Sequence, residues 1–182
     1  MKPNWFVALP VPPGLWFSRV MADLPSTCRR FHPEDIHLTI AFFGAMDPDR
    51  REAVIAAMQK IRALPFEARL GPILTLPTAG RVSALAFSLG DGHRQVEDMI
   101  RNHRDALIAA ARARPDHRRP LAHLTIARPI RKFGERGKRE ARTWAEQLCP
   151  PDVSLAIERL ALYTWSEDRK VRQFRRVHTR AL

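Results

Sequence analysis

An α+β fold built mostly of antiparallel strands is what this sequence predicts, and three observations carry the prediction. Short apolar runs rich in β-branched and aromatic residues outnumber the stretches with helical spacing. The runs are ordered strand-helix, strand-helix, hairpin, helix, strand-helix, hairpin, which is not the strict alternation of a doubly wound sheet. One tetrapeptide, His-Leu-Thr-Ile, stands at residues 37–40 and again at 123–126, each time followed by a helical pattern and then two strand-like runs. That regularity implies a diverged duplication, and so one domain over residues 1–182 made of two pseudo-symmetric lobes.

The elements follow in order. Residues 4–9, NWFVAL, read as a strand ended by proline. Pro12 and Pro13 suit a helix first turn, with Leu15, Trp16, Val20 and Met21 as its apolar side. The first motif strand spans residues 35–43 and Gly44 closes it; Asp47 and Pro48 then open a helix through Val54, Ile55, Met58 and Ile61. Residues 66–76 and 81–89 form a hairpin around the turn PTAG, and Gly90-Asp91-Gly92 leads into a long helix through Val96, Met99, Ile100, His103 and Leu107. After a basic loop at 112–120 come the second motif strand, an exposed basic turn, a helix around Trp144 and Leu148, and closing strands at 153–165 and 170–179.

Composition narrows the class of protein. A chain of 182 residues with 45% hydrophobic and 27% charged residues is that of a folded domain, and no apolar run approaches the roughly 20 residues of a membrane span. The first 16 residues carry one lysine and an apolar run cut by Pro10, Pro12 and Pro13, a poor secretion signal, so the expected location is the cytoplasm. Cys28 and Cys149 lack metal or redox spacing and are expected to be small apolar filler. The net charge of +12, mostly arginine, favours phosphate-bearing partners, since the guanidinium fork matches phosphate oxygens.

The repeated tetrapeptide carries the chemistry. On a strand, His37 and Thr39 share one face while Leu38 and Ile40 share the other, and the same holds for His123 and Thr125 against Leu124 and Ile126. Two such strands facing one cleft would gather two imidazoles and two hydroxyls around a tetrahedral phosphate. The hydroxyls would donate to its non-bridging oxygens, and one imidazole would take a proton from the attacking oxygen while the other gives one to the departing oxygen. An ordinary pKa of about 6.5 suits imidazole to both tasks. No metal is then required.

With WFVALPVP near the N-terminus and LALYTW and VRQFRRV near the C-terminus, HLTIAFFG and HLTIARP resemble the 2H phosphoesterase superfamily, specifically its RNA 2′,3′-cyclic phosphodiesterases, also called 2′-5′ RNA ligases. The resemblance implies a bilobal, pseudo-two-fold fold in which two mostly antiparallel sheets line a central groove with helices outside. It implies hydrolysis of RNA 2′,3′-cyclic phosphate ends to 2′-phosphates, with possible reversible 2′-5′ joining, in a monomer that needs no cofactor. His37 and His123 match the catalytic histidines and Thr39 and Thr125 the phosphate-holding hydroxyls; the resemblance makes His123 the base and His37 the acid. Phe42 matches a base-stacking position and Arg128 a phosphate-binding one. Strict alternation sets both on the aliphatic face, so a bulge would have to turn them, and packing for Phe42 and solvation for Arg128 stay open.

Trp165 and Phe174 stand where the family pattern has a small polar residue and a tyrosine, and Trp165 is expected to cover a core edge. His32 and His117 lack partners for a metal site. Glu34 and Asp35 are expected to be solvated on a turn. Arg131, Lys132, Arg136, Lys138 and Arg139, with Arg118 and Arg119, are the expected track for an RNA backbone. A non-catalytic RNA- or nucleotide-binding module using the same groove is the rival function.

Overall fold

The structure, a computed structural model, describes residues 2–78 and 80–182. Among the described residues nine strands form one antiparallel sheet: β1 (Asn4–Pro10), β2 (Cys28–Arg30), β3 (His37–Ala45), β4 (Phe66–Leu76), β5 (Ala84–Leu89), β6 (His123–Pro129), β7 (Ser154–Ile157), β8 (Arg159–Trp165) and β9 (Phe174–Ala181). The spatial order is β7-β4-β5-β6-β3-β1-β8-β9, with β2 on β6. This is the expected α+β class, and the sheet curls into a half-barrel with four helices. Four strands lie on each side of the β3/β6 junction once β2 is set aside, and a single residue pair, Leu38 opposite Leu124, joins the two halves there.

The helices are α1 (Leu15–Met21), α2 (Arg51–Gln59), α3 (His93–Ala110) and α4 (Gly134–Gln147). Helix α3 packs over β3 and α2 over α3, while α4 lies against β4 and β6. Leu38, Ile40, Leu124 and Ile126 are buried in one core with Val96, Met99, Ile100 and Leu107 of α3 and Ala141, Trp144 and Ala145 of α4. Full burial of such a side chain contributes about 1.5–3 kcal/mol, so the aliphatic face of each motif strand holds its register firmly.

Several boundaries differ from those the sequence suggests. Helix α1 begins after Pro12 and Pro13, leaving Leu15 77% exposed and putting Phe17 in the core. The closing run 153–165 is two strands, because β7 pairs with β4 and β8 with β1, at opposite ends of the sheet. The adjacent Glu158 and Arg159 shift the apolar phase there, from Val153, Leu155 and Ile157 to Leu160 and Leu162, although the local pattern does not name the new partner. The expected basic turn is a 3-10 turn over Arg131–Phe133 followed by α4, whose buried Gly137, Ala141, Trp144 and Ala145 make one helical face among many charges. Strand β2, only three residues long with two exposed arginines, had no readable periodicity. Within the PTAG turn, Ala79 lies outside the described residues.

One glycine is required by this architecture. Gly92 opens α3 at φ +81°, and a Cβ there would stand 2.8 Å from Cβ of Ala68. Gly92→Ala should therefore lower unfolding free energy by about 1–2 kcal/mol, read from urea denaturation.

Candidate active site

Strands β3 and β6 run antiparallel with Leu38 opposite Leu124, and their register sets His37 against Thr125 and Thr39 against His123. All four side chains lie on the face turned away from the buried leucines. Both strands then break alternation at the same place. Against β1, Ala8 pairs with Thr39 and Phe6 with Phe42, leaving one extra residue in β3; Ile40 and Ala41 are both buried. Against β5, Ala86 pairs with Thr125 and Leu85 with Ala127, leaving one extra in β6; Ile126 and Ala127 are both buried. Each bulge restores the next residue to the motif face. Phe42 and Arg128 are thus turned toward the histidines, and Phe42 is 42% exposed. A signal for this was present: the repeat runs one residue further, to Ala41 and Ala127, where strict alternation would not put a second apolar residue.

The two imidazoles are held alike. Nδ1 of His37 bonds the carbonyl of Asp35 at 2.6 Å, and Nδ1 of His123 bonds the carbonyl of Leu121 at 2.9 Å. A carbonyl only accepts, so each Nδ1–H donates, and each neutral ring keeps its lone pair on Nε2. Burial pushes His37 down to about 4; the Asp35 carbonyl pulls it back up, while His123 and Arg128 add to the fall. His123 is also lowered, by burial first and by Arg118, against the pull of its own carbonyl partner. Both rings are half-buried.

Around His37 stand rings the motif does not contain. Phe6 lies 4.7 Å away, Tyr163 5.4 Å and Phe174 5.7 Å, with Phe6 and Tyr163 stacked at 4.9 Å. Tyr163 is fully buried and its phenol is pushed up to about 12, mainly by burial. Asp35 is not solvated as expected: it is fully buried, and its carboxylate accepts from the backbone N–H groups of Gln173 (2.6 Å) and Phe174 (3.1 Å). One residue therefore anchors the start of β9 with its side chain and aims His37 with its carbonyl. Glu34 pairs with Arg172 at 2.6 Å rather than standing free. His32 spends its Nδ1 as acceptor for the N–H of Glu34, capping the 3-10 turn Pro33–Asp35. Cys28 is buried as expected, whereas Cys149 is exposed.

A groove of about 450 Å³ is lined by Thr39, Phe42 and His123, together with Ser83, Asp116 and Arg118. Arg128 instead lines an adjoining cavity that shares Ser83. A cavity of about 790 Å³ between residues 61–66 and α3 holds none of the motif residues.

A family model described as LigT-like phosphoesterase matches residues 9–82, which include the first motif. An RNA 2′,3′-cyclic phosphodiesterase of Bacillus subtilis (strain 168) is 24% identical over 134 residues, covering 70% of this chain and 72% of that protein. Among solved structures, E. coli LigT complexed with 3′-AMP matches with a TM-score of 0.76 at 18% identity, covering 100% of this chain and 99% of that one. The Thermus thermophilus protein TT0787 matches with a TM-score of 0.71 at 17% identity, covering 98% of this chain and 97% of that one. The chain is thus similar to the LigT-like phosphoesterases over residues 9–82, and it shares the fold of E. coli LigT.

Three of the basic residues picked out from the sequence have carboxylate partners. Arg118 pairs with Asp116 at 2.7 Å, Arg136 with Glu140 at 3.0 Å and Lys138 with Glu135 at 2.6 Å. Trp165, half-buried at the end of β8, has the Arg169 guanidinium 4.0 Å above its ring. Among the described residues, no helix is long and apolar enough to cross a membrane.

Imidazole NMR titration of the free protein should place His37 near 4 and His123 below the ordinary value of about 6.5. Saturating inorganic phosphate should raise both, because an anion favours the charged ring. Values at or above 6.5 in the free protein would contradict the burial of the two rings.

Proposed function

We propose that this protein opens the 2′,3′-cyclic phosphate at an RNA 3′ end to a 2′-phosphate, using His37 and His123 as acid and base without a metal. The observation that carries the reading is the matched pair of imidazoles, each with Nδ1 tied to a carbonyl two residues upstream and Nε2 left for chemistry. The names of the relatives agree with it: the Bacillus subtilis protein is an RNA 2′,3′-cyclic phosphodiesterase, and E. coli LigT has been crystallised with 3′-AMP and with ATP.

In this mechanism Nε2 of His123 takes a proton from water as the water oxygen attacks phosphorus. The bond from phosphorus to the 3′-oxygen breaks, and Nε2–H of His37 gives its proton to that oxygen. Thr39 and Thr125 donate to the non-bridging oxygens, Arg128 offsets their charge, and Phe42 stacks on the terminal base. A ribose 5′-hydroxyl in place of water would yield a 2′-5′ linkage by the same proton transfers. Each acid or base contributes roughly 10²- to 10⁴-fold.

His37 starts deprotonated at neutral pH, so an acid role needs the substrate to restore its proton. One of the causes that hold it down is the positive charge of Arg128, which a bound phosphate would offset, while His123 as the neutral base adds no charge in the working state. Anion binding therefore raises His37 toward the neutral range, where a proton donor is most effective.

The test uses purified protein in EDTA with a 2′,3′-cyclic nucleotide or a cyclic-phosphate-ended RNA. The 2′-phosphate should form, and His37→Ala and His123→Ala should each lower kcat by at least about 10²-fold with unchanged circular dichroism, while Thr39→Ala should chiefly raise KM. The pH profile of kcat should centre about one unit or more above that of kcat/KM, since the first reports the complex and the second the free enzyme. Binding without turnover, or full activity in either histidine variant, would overturn the assignment in favour of a non-catalytic nucleotide-binding module.

A further inference from the structure

The cavity beside the groove, about 790 Å³ in volume, is lined by Arg29, Arg128, Arg131, Lys138 and Arg169 together with Gln173, and among the described residues no carboxylate lines it. These cations come from five separate parts of the chain: β2, β6, the 3-10 turn after β6, α4 and the loop between β8 and β9. Convergence from so many segments distinguishes the cluster from charge spread along one solvated face. Lys138 shares its charge with Glu135, but among the described residues none of the four guanidiniums lies within 4 Å of a carboxylate.

Arg29, Arg128 and Arg169 are held by neutral groups instead. Arg29 and Arg169 each reach Oε1 of Gln173 at 3.4 Å, Arg128 stands 5.5 Å above the Phe31 ring, and Arg169 stacks on Trp165. Arg29 and Arg128 are also direct neighbours across the β2–β6 ladder. Burial, and then repulsion from Arg29 and Arg131, disfavours the charge on Arg128. Gathering like charges this closely costs stability in the empty protein, and an anion with several oxygens would recover that cost.

The cavity is placed to take such an anion at the same time as the groove is filled. Both share Ser83, and Arg128 lies three residues beyond Thr125 on β6, roughly 10 Å along the strand. Gly134, the first residue of α4, also lines the cavity, so the positive end of a 14-residue helix adds to the field.

We propose that this cavity is a second phosphate subsite, holding a backbone phosphate of the RNA strand next to the nucleotide that carries the cyclic phosphate. The phosphoesterase thereby selects a strand end over a free cyclic nucleotide. This inference rests on the cyclic-phosphate reading above, and the experiment separates the two.

The full-length protein and an Arg131→Ala/Arg169→Ala double variant are compared on a cyclic-phosphate-ended trinucleotide and on a 2′,3′-cyclic mononucleotide. The wild type should prefer the trinucleotide in kcat/KM by at least about tenfold, and the double variant should lose most of that preference through KM. A control that removes two arginines elsewhere, Arg51→Ala/Arg94→Ala, should keep it. In parallel, fluorescence anisotropy follows binding of a 5′-labelled trinucleotide ending in 2′-phosphate from about 50 to 200 mM salt. The slope of log K against log salt should become shallower by about 0.7 in the pocket variant, the value for one lost phosphate contact on a single strand. An unchanged preference and slope in the pocket variant would overturn the subsite, as would an equal loss in the control or displacement of the trinucleotide by far lower concentrations of pyrophosphate. A wild type that turns over neither substrate would sink the cyclic-phosphate reading, and the binding arm would then decide the subsite by itself.

Discussion

Everything in the candidate site hangs on the one place where the two halves of the sheet meet. Leu38 and Leu124 face each other across β3 and β6, and both are fully buried. Because side chains alternate along a strand, that contact between aliphatic faces determines where the polar faces go. A slip of one residue in either strand would send an imidazole into the core and a leucine into the groove. Hydrophobic burial under α3 and α4 thus acts as the positioning force for the polar residues, which make few contacts with one another.

The matched bulges extend the same logic. An extra residue at Ile40–Ala41 and another at Ile126–Ala127 let two consecutive apolar side chains stay inside while the next one returns to the open face. The open face of each strand therefore presents three side chains: His37, Thr39 and Phe42 on one, His123, Thr125 and Arg128 on the other. The first two members are common to both strands, and the third differs, aromatic on β3 and cationic on β6.

The electrostatics of the two histidines comes from their surroundings. Neither ring has a carboxylate on Nδ1; each is oriented by a main-chain carbonyl, which fixes the tautomer without adding a full negative charge. With burial and positive neighbours acting against protonation, the site is tuned toward neutral rings until an anion arrives. The negative charge nearest His37 in the chain, on Asp35, is directed away to the amides of Gln173 and Phe174. That arrangement leaves the groove and the arginine-lined cavity as a region of positive potential, suited to a phosphate-bearing ligand.

Read along the chain, the two motif strands, the long helix α3 and the central hairpin are legible because each is declared by its own local pattern: alternation, helical spacing or turn residues. The pairing of His with Thr on one face was legible for the same reason. The local sequence is silent on pairing partners, so it shows neither that residues 153–165 divide between opposite halves of the sheet nor that Arg29 of β2 lies beside Arg128. It is equally silent on Asp35, whose turn-like surroundings conceal a buried carboxylate, and on Phe6, Tyr163 and Phe174, which are ordinary strand residues until the fold brings them around His37. The sequence by itself determined which atoms are available for the chemistry and which face of each strand they occupy, since side-chain period is a property of the backbone. Only the tertiary structure decided which distant residues share a cavity and whether a charge is answered or left open, because those depend on distances between segments that the chain order does not contain.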